Sequence, residues 1–115
     1  MKITERTLLH TYTYLLNLPP FLKWGLFPAD VIIFKNKTPI DRIGHFISFS
    51  DGRCEIAISH KRISYINNLI ETMAHEMCHL ATDLNYPSEK KEHGFHFNNY
   101  AKKVSIEMGF DPLYF

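Results

Sequence analysis

The feature that most constrains this chain is an uninterrupted helical pattern in its second half. Between Tyr65 and Asp83 the sequence contains neither Gly nor Pro. Apolar residues recur along this run every three or four positions, as expected for one buried face of an α-helix. They are Ile66, Leu69, Ile70, Met73, Met77, Leu80 and, just beyond the run, Leu84. The pattern therefore predicts an α-helix over residues 65–83, with its apolar face against a protein core.

His75, Glu76 and His79 lie in the middle of this predicted helix, in the pattern His-Glu-x-x-His. Residues four apart stack on one face of a helix, so both imidazoles can reach a single metal ion. Glu76 would lean over a water molecule at that ion and take its proton. This arrangement is typical of zinc-dependent hydrolases of the zincin type, in which the carboxylate acts as general base.

A catalytic zinc takes three protein ligands and keeps a fourth position open, so one more ligand must come from elsewhere. The extended motif that places a third His at position 85 is ruled out, because the chain has Asn85 there. Two arguments favour His93 over a neighbouring His. It shares the inward face of the predicted last helix with Phe97, and Gly94 beside it permits a close approach of two backbones. The candidates on sequence grounds are His93, His96, Glu89 and Glu92.

The first half of the chain indicates one helix followed by three short strands. Thr4 can cap the helix, and the Pro19-Pro20 pair ends it. The strands are predicted from apolar or alternating character, and Asp51-Gly52 between the last two is a hairpin signal. They cover residues 31–34, 43–49 and 54–59.

The last part of the chain predicts another helix, with Phe97, Tyr100 and Val104 on its inner face and Gly109 as its stop. The expected fold is therefore α+β, a minimal zincin-like domain that occupies residues 1–115 as a single unit. It comprises an N-terminal helix, a small antiparallel sheet of about three strands, the motif helix and a C-terminal helix.

Composition narrows the class of protein further. A chain of 115 residues with 45% hydrophobic and 22% charged residues fits one ordinary globule. Its net charge is +1 and its basic residues are scattered, so we expect weak or no binding to nucleic acid. Neither a membrane span nor a signal peptide is apparent, which predicts a cytoplasmic protein without a membrane partner. Cys54 and Cys78 are predicted to be buried free thiols.

Three segments together carry a resemblance to a known family. They are the residues 69–79 around the motif, the strand 54–59, and the later run His93-Gly94-Phe95-His96-Phe97. The chain resembles the SprT-like metallopeptidases, which include Spartan, from about residue 44 to residue 104. The most specific part is His-Glu-x-x-His with a downstream His-Gly-x-x-Phe. The resemblance covers the catalytic core alone.

The resemblance implies a zinc metalloendopeptidase. It assigns His75, His79 and His93 as the three ligands of one zinc per chain and Glu76 as general base; Mn²⁺ or Ni²⁺ could replace zinc. A protein or peptide substrate would lie extended along an exposed edge of the sheet. Two alternatives are a metal-stabilised binding module without turnover and a metal-dependent nucleic-acid hydrolase. The candidates for binding the substrate carbonyl or its oxyanion are His96, Tyr86 and Tyr100.

Overall fold

A computed structural model describes residues 2–39, 41–111 and 115. Three helices and a three-stranded sheet confirm the predicted α+β class, and two short 3-10 turns, Phe21–Lys23 and Ala29–Val31, join the first helix to the first strand. The main elements in chain order are α1 (Glu5–Leu16), β1 (Ile32–Lys35), β2 (Gly44–Ser48), β3 (Cys54–Ile58), α2 (Ile66–Asn85) and α3 (Phe95–Met108).

Helix α1 begins at the predicted cap. The Thr4 hydroxyl accepts a hydrogen bond from the Thr7 backbone N–H at 3.2 Å, and the Thr7 hydroxyl accepts one from the Thr4 N–H at 3.0 Å. This reciprocal pair satisfies two of the N–H groups that have no partner within the helix. Leu8, Tyr12 and Leu15 are fully buried, which fixes one face of α1 against the core.

The sheet is mixed, with strand order β1-β3-β2. The hairpin of β2 and β3 is antiparallel as predicted, and Gly52 in its turn has φ of +90°. The prediction of an antiparallel sheet was wrong for β1, which pairs with β3 in parallel and sets Phe34 opposite Ile56. The most buried strand, β3, occupies the centre, so the chain leaving β1 crosses to the far edge before it enters the hairpin.

This order leaves one edge of β2 without a neighbouring strand in the described residues. The Ser59 N–H donates to the Ile43 carbonyl, and the Phe49 N–H donates to the Arg53 carbonyl, each at 2.8 Å. Alternate residues of an antiparallel strand bond to the same neighbour, so the odd-numbered residues 43–49 face β3. The backbone N–H and C=O groups that point to the free edge are therefore those of Gly44, Phe46 and Ser48.

Helix α2 lies in the middle of the molecule and contacts α1, β2, β3 and α3. Its apolar face is buried as predicted at Leu69, Met73, Met77 and Leu80, which are at most 1% exposed. The prediction was wrong for Ile66 in the first turn, which is 61% exposed. Helix α3 packs against α2 and ends at Gly109, which takes the left-handed conformation with φ of +77°. Because residues with a Cβ rarely adopt that conformation, Gly109 marks the helix end that the sequence predicted.

Both cysteines are buried free thiols, as predicted. Burial raises the pKa of the Cys54 thiol to about 11, so it stays protonated and unreactive at neutral pH. Among the described residues, no helix combines the length and apolar character needed to cross a bilayer.

Candidate metal centre

Helix α2 places His75 and His79 one turn apart on the face that opens to a cleft. Their ring centroids are 5.1 Å apart, and both side chains line a cavity of about 1070 Å³. The rest of the helix is fixed by the core, so folding sets the point on the cleft wall from which each of these two imidazoles projects. This is the arrangement that the spacing of four predicts.

His93 approaches the same point from the other wall of the cleft. Helix α3 begins at Phe95, so His93 lies in the preceding turn and not on the helix face where the sequence had placed it. Its Nε2 is 3.3 Å from Nε2 of His79. The structure brings together one nitrogen each from His75, His79 and His93, all within 4.8 Å of one another.

These distances fit a tetrahedral zinc site. Two nitrogens bound to one zinc at about 2.0–2.1 Å, with a tetrahedral angle between them, are about 3.3 Å apart. The Nε2 atoms of His79 and His93 have this separation. Within the described part of the chain, these two residues and His75 form the one group of potential ligands that could hold a metal ion.

The protonation state of the histidines also suits a metal. Burial lowers the pKa of His79 to about 3, and the neighbouring His75 and His93 lower it further. Burial likewise lowers the pKa of His75, although a hydrogen bond from its ring to the Phe115 carbonyl partly opposes the shift. Both rings are therefore neutral at pH 7 and offer a lone pair, as metal binding requires.

Phe97 forms a common apolar surface for the three imidazoles. Its ring centroid lies 4.3 Å from that of His79, 4.7 Å from that of His93 and 5.1 Å from that of His75. Phe97 is itself 3% exposed and joined to the core. The sequence indicated Phe97 as a core residue of α3, and the structure adds that it packs against all three potential ligands.

Glu76 is buried at the same cleft, with 4% of its surface exposed. Burial raises the pKa of its carboxyl to about 8, and nearby Glu92 adds to the rise while Arg42 opposes it. Gly44 of β2 makes room for the side chain. A Cβ at position 44 would lie 2.9 Å from Glu76 Oε2 and 2.8 Å from the Thr72 methyl group, so a larger residue there displaces the carboxylate.

Glu89 and Glu92, two of the sequence candidates for the third ligand, make other contacts. The Glu89 carboxylate accepts hydrogen bonds from the backbone N–H groups of His96 at 2.9 Å and Phe97 at 3.2 Å, and so caps α3. These bonds lower the pKa of the Glu89 carboxyl. Glu92 faces Arg42 across 3.6 Å at the surface.

Gly94 has a different role from the one that the sequence suggested. A Cβ at position 94 would lie 2.8 Å from the Glu89 side chain. The close approach is therefore between Gly94 and a capping carboxylate, and not between two backbones. The prediction failed because it assumed that α3 already includes residue 93.

The three residues proposed for binding a substrate carbonyl lie close together, but they differ in their access to the cleft. Tyr86 lines the cleft, whereas His96 and Tyr100 are not among the described residues that line it. The His96 ring stacks on Tyr86, with centroids 3.5 Å apart and planes inclined by 4°. Tyr100 packs against Trp24 at 4.4 Å. Of these three residues, Tyr86 is the one that could contact a ligand in the cleft, and the His96 ring stacks on it.

Two residues of this region were missed by the analysis of the sequence. Gly44 had a signal, because a glycine inside a strand pattern often marks a close approach of another group. Phe115, whose carbonyl oxygen lies 3.0 Å from His75 Nδ1, had none. That contact joins residues 40 positions apart, and no spacing rule reaches across such a distance.

Comparison with known proteins identifies the family of the chain. The sequence model of the SprT-like family matches residues 21–112, which is most of the chain. No curated protein and no solved structure matches it. The matched range contains all three histidines of the cluster, Glu76 and Gly44, and it confirms the resemblance found in the sequence. The chain therefore belongs to the SprT-like family.

Proposed function

We propose that this chain is a zinc-dependent endopeptidase in which His75, His79 and His93 hold the ion and Glu76 is the general base. The observation that carries the proposal is the meeting of three imidazoles and a buried carboxylate at one cleft. Zinc favours nitrogen ligands in a four-coordinate site, which three histidines and one water complete. Manganese or nickel could take its place, since imidazole also suits those metals.

The ion, when bound, polarises the substrate carbonyl and makes water at the site acidic enough to ionise near pH 7. Glu76 accepts the proton of the attacking water and then passes it to the nitrogen of the leaving amine. A proton carrier works best when its pKa lies near the working pH. Burial raises the pKa of Glu76 to about 8 in the metal-free protein. The positive charge of a bound ion would lower this pKa, so that the carboxylate is ionised and able to accept a proton when the site is loaded.

The free edge of β2 supports a peptide as substrate. The backbone groups of Gly44, Phe46 and Ser48 point away from β3, and β2 borders the cleft that contains the histidines. An extended peptide can pair with such an edge through its own backbone. Since Gly44 is in contact range of Glu76, a peptide bond paired at this end of β2 would lie beside the general base.

The charge of the cleft favours a peptide over a nucleic acid. Its lining has six carboxyl groups and three basic side chains, and even with the two charges of a bound zinc it lacks the excess of positive charge that a phosphate backbone needs. We therefore propose a protein or peptide partner, weak or no binding to DNA, and no membrane partner. The charged residues of the lining are Asp41, Glu71, Glu76, Asp83, Glu89, Glu92, Arg42, Lys90 and Lys91.

We also propose that residues 1–115 act as one domain. Buried residues of α1, the sheet, α2 and α3 belong to a single core cluster. A separate unit would need a core of its own, which the described residues do not provide.

The test compares wild type with Glu76→Gln, both loaded with zinc, on an unfolded casein-like protein. The amide keeps the size of the side chain but cannot accept a proton, so cleavage should fall by about 100-fold or more while the zinc content stays equal. Glu71→Gln is the matched control, because Glu71 is also on α2 and lines the cleft. It should keep wild-type cleavage.

Equal cleavage by wild type and Glu76→Gln would contradict the general-base role. If wild type binds zinc but cleaves no protein, the chain is a metal-stabilised binding module instead. Cleavage of DNA but not of protein by the same preparation would assign the site to nucleic-acid hydrolysis.

A further inference from the structure

Phe115 contacts His75, the first histidine of the motif, through both its backbone and its ring. The His75 Nδ1 atom lies 3.0 Å from the Phe115 carbonyl oxygen, and the two ring centroids are 5.7 Å apart at 73°. A carbonyl oxygen can only accept, so His75 Nδ1 carries the proton. The Nε2 atom of His75 then has its lone pair free for a metal.

Phe115 is itself held in place by the chain that follows α3. Its ring stacks on Phe110, with centroids 5.1 Å apart and planes inclined by 26°, and its N–H donates to the Asp111 carbonyl at 3.1 Å. The Phe110 N–H in turn donates to the Ser105 carbonyl at 3.0 Å, in the last turn of α3. The hydrogen bond to His75 is therefore linked to the end of α3 by a series of contacts.

The position of Phe115 also shapes the surroundings of the histidines. Phe115 lines the main cleft and a smaller hollow beside α3, and His75 and His93 border both. Ile106, which is 72% exposed, lines only the smaller hollow. Phe115 thus borders both spaces and packs against the His75 ring. That ring must keep its orientation if His75 is to bind a metal.

We propose that Phe115 is a positioning residue for the metal centre: its backbone carbonyl fixes the tautomer and direction of His75, and its ring holds that carbonyl in place. This inference rests on the proposed metal site. A hydrogen bond to the second nitrogen of a ligating imidazole makes the first a stronger ligand, and its loss typically weakens metal binding by about 10- to 100-fold.

The test measures the zinc dissociation constant by competition with a chromophoric chelator, on three point variants and one shortened variant. Phe115→Ala removes the ring that stacks on Phe110, so zinc should bind about 10-fold more weakly. Phe115→Tyr keeps a ring and should restore wild-type affinity. Ile106→Ala changes the same smaller hollow without touching His75 and should leave the affinity unchanged. A variant that ends at Asp111 removes the carbonyl itself and should show the largest loss.

A second measurement separates positioning from general stability. Nitrogen NMR of metal-free protein should show His75 protonated at Nδ1 in wild type and Phe115→Tyr, and a mixture of tautomers in Phe115→Ala. Wild-type zinc affinity and an unchanged His75 tautomer in both Phe115→Ala and the shortened variant would overturn the inference. Failure of wild type to bind zinc would contradict the proposed function instead, and the tautomer would still test the contact.

Discussion

The segments that supply the three histidines are held in different ways. His75 and His79 belong to a 20-residue helix whose other face is in the core. His93 is exposed and lies outside regular structure, where its carbonyl accepts a hydrogen bond from the Asn98 side chain at 3.0 Å and Glu89 caps the helix that follows. Helix α2 therefore places two of the proposed ligands, whereas the position of the third depends on a few local hydrogen bonds. A bound metal would therefore restrict the motion of His93 more than that of the two helical histidines.

The largest effect on zinc binding should come from removing one histidine of helix α2 or the histidine in the turn before α3. His93→Ala and His79→Ala should both lose tightly bound zinc, because two imidazoles do not complete the site. Only His79→Ala should also destabilise the metal-free protein, by about 1 kcal/mol or more, since its ring packs on the buried Phe97. Metal analysis, and melting temperatures with and without a chelator, measure both effects.

His96→Ala is the control for this comparison. His96 stacks on Tyr86 and does not belong to the histidine cluster, so the variant should keep its zinc. Zinc lost from His96→Ala but kept by His93→Ala would show that the wrong histidine was assigned.

The next effect concerns Gly44, in the part of β2 that lines the cleft beside Glu76. Gly44→Ala should lower peptide cleavage by about 10- to 100-fold without loss of zinc, because the added Cβ displaces the Glu76 carboxylate and small misplacements of catalytic groups are costly. Cleavage rates and zinc content measure it. Ser48→Ala in the same strand is exposed and should behave as wild type. Full activity of Gly44→Ala would show that the carboxylate does not need this contact.

A smaller effect should appear in the pH dependence of the metal-free protein. Because the pKa of Glu76 in the folded protein, about 8, is above the ordinary value of 4.5, folded protein keeps a proton that unfolded protein releases. The stability that Glu76 contributes is thus complete below pH 4.5 and is lost as pH rises through 8. Glu76→Gln cannot ionise, so its advantage in free energy of unfolding should grow from pH 5 to pH 8, by at most about 1.4 kcal/mol per pH unit.

Denaturant unfolding of both proteins with a chelator present, at several pH values, measures this difference. The buried His79 acts in the opposite sense, because its lowered pKa destabilises the fold as the pH falls below 6.5. That contribution is common to wild type and variant, so it cancels in the comparison. A difference that does not vary with pH would show that Glu76 titrates normally.

The smallest effect should come from the cap of α3. Glu89→Ala removes the acceptor for two backbone N–H groups and should lower the melting temperature, with a weaker effect on zinc than His93→Ala. Glu92→Ala is the matched control. Its exposed pair with Arg42 is worth between 0 and about 1 kcal/mol, so its stability should stay close to wild type. Equal losses in both variants would remove the capping role of Glu89.

The sequence predicted those parts of the molecule that follow local rules. Helix α2 and the cluster of His75, Glu76 and His79 on it follow from a spacing of three and four residues. The β2–β3 hairpin follows from Asp51-Gly52 between two alternating runs. His93 was favoured through His-Gly-x-x-Phe, whereas the two arguments from the helix face and from Gly94 did not hold, since the approach of His93 depends on the packing of α3 against α2.

The features that the sequence did not predict depend on contacts between distant segments. The parallel pairing of β1 follows from which strand enters the centre of the sheet, and neighbouring residues do not encode that choice. The contact of Glu89 with Gly94 depends on the path of a loop. The hydrogen bond from His75 to Phe115 spans 40 residues and involves a backbone carbonyl, which any residue type would supply.

The strand order of the sheet has a consequence for what the cleft can accept. With β3 in the centre, the five-residue β2 is at once the margin of the sheet and the wall of the cleft. If a peptide pairs there, it must first give up any helix or strand pairing of its own, because its backbone groups are needed at the margin. Such an edge selects a substrate first by its extended backbone conformation and only then by its amino-acid sequence. The domain would thus cleave a partner only where that partner is locally unfolded, and a fully folded protein would not be cleaved.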